Sequence, residues 1–131
     1  MQLADLIERF QIFDDWEERY AYLIELGKEL PTLADHEMTE ETRIRGCVSK
    51  VWLVSERDGE RHVFRATSDA HIVRGLIAVV LTAFSNKTAA EIAATDIEGA
   101  FTELGLDEHL SHNRRNGFFS MVKRIRSVAN A

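Results

Sequence analysis

The chain has 131 residues, 45% of them apolar and 29% charged, which suits one soluble domain over residues 1–131 with a core of its own. Its formal net charge of −6 argues against nonspecific binding to nucleic acid or to an anionic membrane surface. A single cysteine excludes an intramolecular disulfide and any multi-thiolate zinc or iron–sulfur cage built within one chain.

The N-terminal Met1-Gln2-Leu3-Ala4-Asp5-Leu6 has neither the basic nor the apolar region of a secretion signal, so a cytoplasmic location is the default expectation. Leu3, Leu6, Ile7 and Phe10 recur at helical spacing and predict a short amphipathic helix. Asp14 or Asp15 then caps a second helix with Trp16, Tyr20, Leu23 and Ile24 on one face, ending near Gly27 and Leu30-Pro31. From Pro31 to Thr42 the chain is polar and reads as an exposed connection.

Val51-Trp52-Leu53-Val54 is apolar on both parities, as in a strand covered on both sides. Arg57-Asp58-Gly59-Glu60 carries Asp-Gly turn chemistry, and His62 to Thr67 reads as the returning strand. Ile44 belongs to a further antiparallel strand on this reading, which puts Cys47 at a bend where Gly46 adopts positive φ without penalty.

Ser68-Asp69 offers an N-cap for the most apolar helix, through Ile72, Val73, Leu76, Ile77, Val80 and Leu81. Its apolar run, Leu76 to Phe84, is too short to cross a bilayer. Thr88-Ala89-Ala90-Glu91 matches a capping box, Asp96 to Leu104 forms another short helix stopped by Gly105, and Phe118, Val122, Ile125 and Val128/Ala129 stripe a C-terminal helix. Arg114, Arg115, Lys123, Arg124 and Arg126 make that end locally basic, as a solvated helix face does. Helices, a small antiparallel sheet of about three strands, then helices define an α+β fold.

Cys47 has two roles open to it. A lone cysteine is commonly a small core filler. Against this, Cys47 follows a glycine at a bend, and Arg43, Arg45 and Lys50 would favour its thiolate. The five histidines, His36, His62, His71, His109 and His112, lie in no catalytic motif, and there is no resolving cysteine, HExxH site or glycine-rich phosphate loop. A thiol without base, partner thiol or metal suits one-step exchange whose other half comes from another protein.

The stretch GCVSKVWLV resembles the cysteine loop of the SufE family, sulfur acceptors that work with group II cysteine desulfurases. DDWEERYAYLIELGKELP, SDAHIVRGLIAVVL and HLSHNRRNGFFSMVKRIR extend the resemblance, in order, along nearly the whole chain. It implies a fold similar to the NifU/IscU scaffold without that scaffold's cluster ligands. It also implies that Cys47 takes persulfide sulfur from a SufS/CsdA-like desulfurase, stimulates it, and passes the sulfur to a downstream cluster-assembly scaffold. Pyridoxal phosphate belongs to the desulfurase, and this chain is expected to bind no cofactor or metal.

By the same resemblance Gly46, Val48, Asp69 and Arg114 contact the partner, with Arg114 reaching toward the desulfurase site. The ordinary roles of Asp69 and Arg114 are a helix cap and a solvated first-turn arginine. Val48 and Lys50 stand where the family commonly has glutamines, and Ala66-Thr67 where Gly-Asp is frequent. The exchange step needs an extended loop, whereas storage needs the sulfur sheltered. The loop is therefore expected to rest with the thiol against apolar residues, Val51, Trp52 and Leu53 among them, and to swing out on docking. The competing expectation is a binding module that docks a partner without carrying sulfur.

Overall fold

Local signals set out most elements of the computed structural model, which describes residues 1–131. The first helix, α1 (Leu3–Ile12), turns Leu6 and Phe10 inward. Asp15 accepts a hydrogen bond from the Glu18 amide and starts α2 (Trp16–Lys28). Tyr20 is exposed, so the inner face of α2 is narrower than expected and centres on Leu23.

The helix ends at Lys28, as expected, and Gly27 lies in its last turn, where a Cβ would come within 2.7 Å of the Gly75 backbone nitrogen. Gly75 carries the reciprocal constraint, since its Cβ would stand 2.5 Å from the Leu23 carbonyl oxygen. These two glycines let α2 cross α3 (His71–Phe84) at backbone contact. Ten of the fourteen residues of α3 are buried, which makes it the central helix.

β1 (Val51–Asp58) and β2 (Arg61–Ser68) form an antiparallel hairpin, with Val51 opposite Ser68 and Asp58 opposite Arg61. Gly59 supplies the turn at φ 62°. Val51 and Leu53 face the core, while Trp52 and Val54 are only half covered, so β1 is buried chiefly on one face.

The third strand is not the Ile44 segment. That segment makes a single bridge, Arg43 opposite Trp52, because the chain turns away at Gly46 before a ladder can extend. β3 (Lys87–Thr88) pairs with β2 instead, giving the order β1-β2-β3.

Thr88 and Glu91 then form a reciprocal capping box on α4 (Ala89–Ala94), and Asp96 caps α5 (Ile97–Glu103). Gly105, at φ 80°, ends α5, and a short α6 (Leu106–His109) follows without a clear sequence signal. Ser111 caps α7 (His112–Ala129), which buries Phe118, Met121, Val122, Ile125 and Ala129. The result is an α+β fold of seven helices around a three-stranded antiparallel sheet. One continuous apolar cluster joins α1, α3, the hairpin and α7. No helix is long and apolar enough to cross a membrane.

Candidate functional site: a thiol loop seated on α7

The loop 44–50 runs from the Arg43 bridge into β1, and both of its ends are tied. At the entry, the Arg124 guanidinium donates to the carbonyls of Glu41 (3.3 Å) and Arg43 (3.1 Å). At the exit, the Asp69 carboxylate accepts the Lys50 amide at 3.1 Å, and the Asp69 amide donates back to the Lys50 carbonyl at 3.3 Å. Asp69 is thus not the cap of α3. Its carboxylate is already engaged across the strand end, so Ala70 occupies the N-cap position with no side-chain bond.

Between these ties Gly46 adopts φ 87°, and a Cβ there would meet Ser120 Oγ at 2.6 Å. The positive φ calls for glycine here, and the loop approaches α7 closely at Ser120. Cys47 then turns inward. A Cβ on Gly117 of α7 would lie only 3.3 Å from its Sγ, and the Gly117 carbonyl stands 3.7 Å from the sulfur as acceptor for the S–H. Val48 turns the other way and is 78% exposed, an apolar side chain displayed beside the thiol.

The half-buried thiol borders a cavity of about 400 Å³. Val73 and Leu76 of α3, with Phe118 and Met121 of α7, give it an apolar wall. Ser49, Ser111, Asn113 and Arg114 give it a polar lip. The Arg114 amide donates to Ser111 Oγ in the first turn of α7, while its exposed side chain pairs with no carboxylate. The structure therefore brings Cys47, Val48 and Arg114 to one cavity, with Gly46 as the bend leading in and Asp69 as the tie leading out.

Two expectations are corrected here. Val51 and Leu53 do not cover the thiol, because both are committed to the core, and Trp52 lines a separate groove with Asp69 and Arg74. The cover comes from α3 and α7. Nor do the nearby cations make a thiolate at rest: burial pushes the Cys47 thiol above its ordinary value, and the Arg43 guanidinium only partly opposes this. Arg45 is drawn into an exposed ion pair with Glu40, and Arg43 lies over the Trp52 ring at 5.6 Å.

No histidine lines the cavity, so nothing there is placed to act as a general base. No group of three or more His, Cys, Asp or Glu side chains is arranged to hold a metal ion. Sequence reasoning gave Gly117, the last residue of the NRRNG stretch, no role of its own and missed the apolar wall. The available signal was a glycine inside an otherwise regular helix, where it weakens the helix and so marks a close approach.

The family model described as "SufE: Fe-S metabolism associated domain" matches residues 4–129. A SufE-like protein of Rhizobium etli is 51% identical over 97% of this chain and 88% of its own length. A SufE-like protein of Rhizobium meliloti is 47% identical over 97% of this chain and 94% of its own. The solution structure of a hypothetical protein from Thermus thermophilus has a TM-score of 0.79 at 16% identity, covering 98% of this chain and 93% of that one. This last likeness speaks for the fold alone.

Proposed function

Because this chain belongs to the SufE family, we propose that it accepts persulfide sulfur on Cys47 from a pyridoxal-phosphate-dependent cysteine desulfurase and relays it toward iron–sulfur cluster assembly. The observation that carries this reading is the Cys47 loop itself. A single thiol sits at the bend of a tied loop, over an apolar cavity, with no base, second thiol or metal site beside it.

The step balances without an oxidant. The Cys47 thiolate attacks the outer sulfur of the donor persulfide, and a new S–S bond forms at Cys47. The old S–S bond breaks, and its electron pair leaves with the donor cysteine as thiolate. At rest the thiol is sheltered and burial holds it above its ordinary value; leaving the cavity removes that burial. Arg114 at the cavity lip and Val48 at the loop tip face the partner in this scheme, and removal of the donor persulfide stimulates desulfurase turnover.

Mixing the protein with a SufS/CsdA-type desulfurase and L-cysteine, followed by mass spectrometry, tests the reading. One sulfur atom should be added at Cys47 in the native chain and none in Cys47→Ser, which should also lose the stimulation of turnover. An unmodified native chain that still stimulates the desulfurase would replace the acceptor with a docking module.

A further inference from the structure

We propose that Gly117 is a positioning residue for this transfer: its missing side chain admits Cys47 to the resting seat on α7 and thereby sets how often the thiol leaves it. The inference rests on the acceptor reading above but concerns a residue that the cysteine loop does not contain.

Three successive atoms of Cys47 lie against the place a Gly117 Cβ would fill: Sγ at 3.3 Å, Cβ at 3.8 Å and Cα at 4.0 Å. The first of these is tighter than ordinary van der Waals contact, so either the helix or the loop must give. The helix is the stiffer partner. Gly117, Phe118, Met121 and Val122 are buried, Ser111 caps the helix, and Arg115 is bonded to the Asp107 carbonyl. The loop is the softer one, because Cys47 is only half-buried and follows Gly46 at φ 87°.

Gly46 meets Ser120 and Cys47 meets Gly117, so two consecutive loop residues rest on α7 positions three apart, which share one helix face. The Gly117 carbonyl also accepts from the thiol, a bond available only to the protonated form. A methyl at 117 therefore makes the sulfur give by a few tenths of an ångström, and a branched side chain displaces it from the seat and from the acceptor that holds its proton.

The test uses the protein alone. Iodoacetamide alkylation of Cys47 is followed across pH for the native chain, Gly117→Ala, Gly117→Val and the exposed control Ser127→Ala. The rate at neutral pH should rise for Gly117→Ala and about tenfold for Gly117→Val, with the pH midpoint moving down toward that of a free thiol. Ser127→Ala should match the native chain. If Gly117→Val does not fold, Gly117→Ala decides, since alanine favours a helix. A native rate and midpoint in Gly117→Ala would overturn the proposal. The two readings fail separately: faster alkylation in a chain that takes no sulfur from desulfurase refutes the acceptor function and leaves the seat, and native alkylation in a chain that does take sulfur refutes the seat alone.

Discussion

Asp69 and Arg65 show how single side chains hold the segments that flank the thiol. The Asp69 carboxylate accepts the Lys50 amide where the loop enters β1. Asp69→Ala removes that acceptor at an exposed position, where water replaces it, so the global cost should stay near about 1 kcal/mol. The local effect should be larger: Cys47 should alkylate faster than in the native chain while the melting temperature moves little, and an unchanged rate would mean that the tie does not restrain the loop. Arg65 of β2 joins Glu37 and Glu56 in one ion-pair group and so fixes the connection before the loop. The hydrogen bond from Arg65, with a backbone bond from Ala34, lowers the Glu37 carboxyl from 4.5 to about 2. A depressed folded-state value stabilises the fold above the unfolded value and loses that contribution as pH falls. The native melting temperature should therefore drop between pH 4.5 and about 2 more steeply than that of Glu37→Gln. Parallel slopes would show that the pair contributes nothing to folding.

At the level of elements, what the sequence disclosed depended on how local the cause was. Asp15, Thr88 and Asp96 cap their helices through bonds spanning three residues, and the Asp58-Gly59 turn is equally local. The positive φ at Gly46 was legible for the same reason. The third strand was not, because two residues, Lys87 and Thr88, carry no alternation to read. The seat of the thiol was not, because Gly117 lies seventy residues from Cys47 and only the tertiary fold brings them together. The packing role of Gly27 was not, because a glycine near a helix end and one that admits a neighbouring helix look alike in one chain. Gly75→Ala tests that crossing. Its Cβ would press on the Leu23 carbonyl oxygen at 2.5 Å, and backbone on both helices has little room to yield. Overpacking costs about 1–3 kcal/mol, while the better helix propensity returns at most about 1 kcal/mol. Urea denaturation should thus give a lower midpoint, and a stabilised variant would refute the close crossing.

For the whole molecule the central question is whether the thiol can leave its seat while the fold stays intact. The scaffold is cooperative: α3 is buried almost throughout, and its apolar cluster reaches α1, the hairpin, α5 and α7. Opening it requires global unfolding, which for a domain of this size costs about 5–15 kcal/mol. The loop is held more lightly. Cys47 is half-buried, Val48 is already exposed, and the ties at Arg124 and Asp69 lie outside the segment that must move. Releasing the sulfur exposes a small apolar area and breaks one weak hydrogen bond from the thiol to the Gly117 carbonyl, without disturbing β1 or α7. Local opening exposes little surface, and denaturant acts in proportion to the surface exposed. Alkylation of Cys47 below the unfolding transition should therefore change little with urea, whereas exchange of the Ile77, Val79 and Val80 amides in α3 should accelerate with the full slope of global unfolding. If both follow the global slope, the thiol is reached only through the unfolded chain, and a resting loop that swings out on docking is ruled out. A flat response places the mobility where transfer needs it and leaves the sheltering cavity standing between encounters.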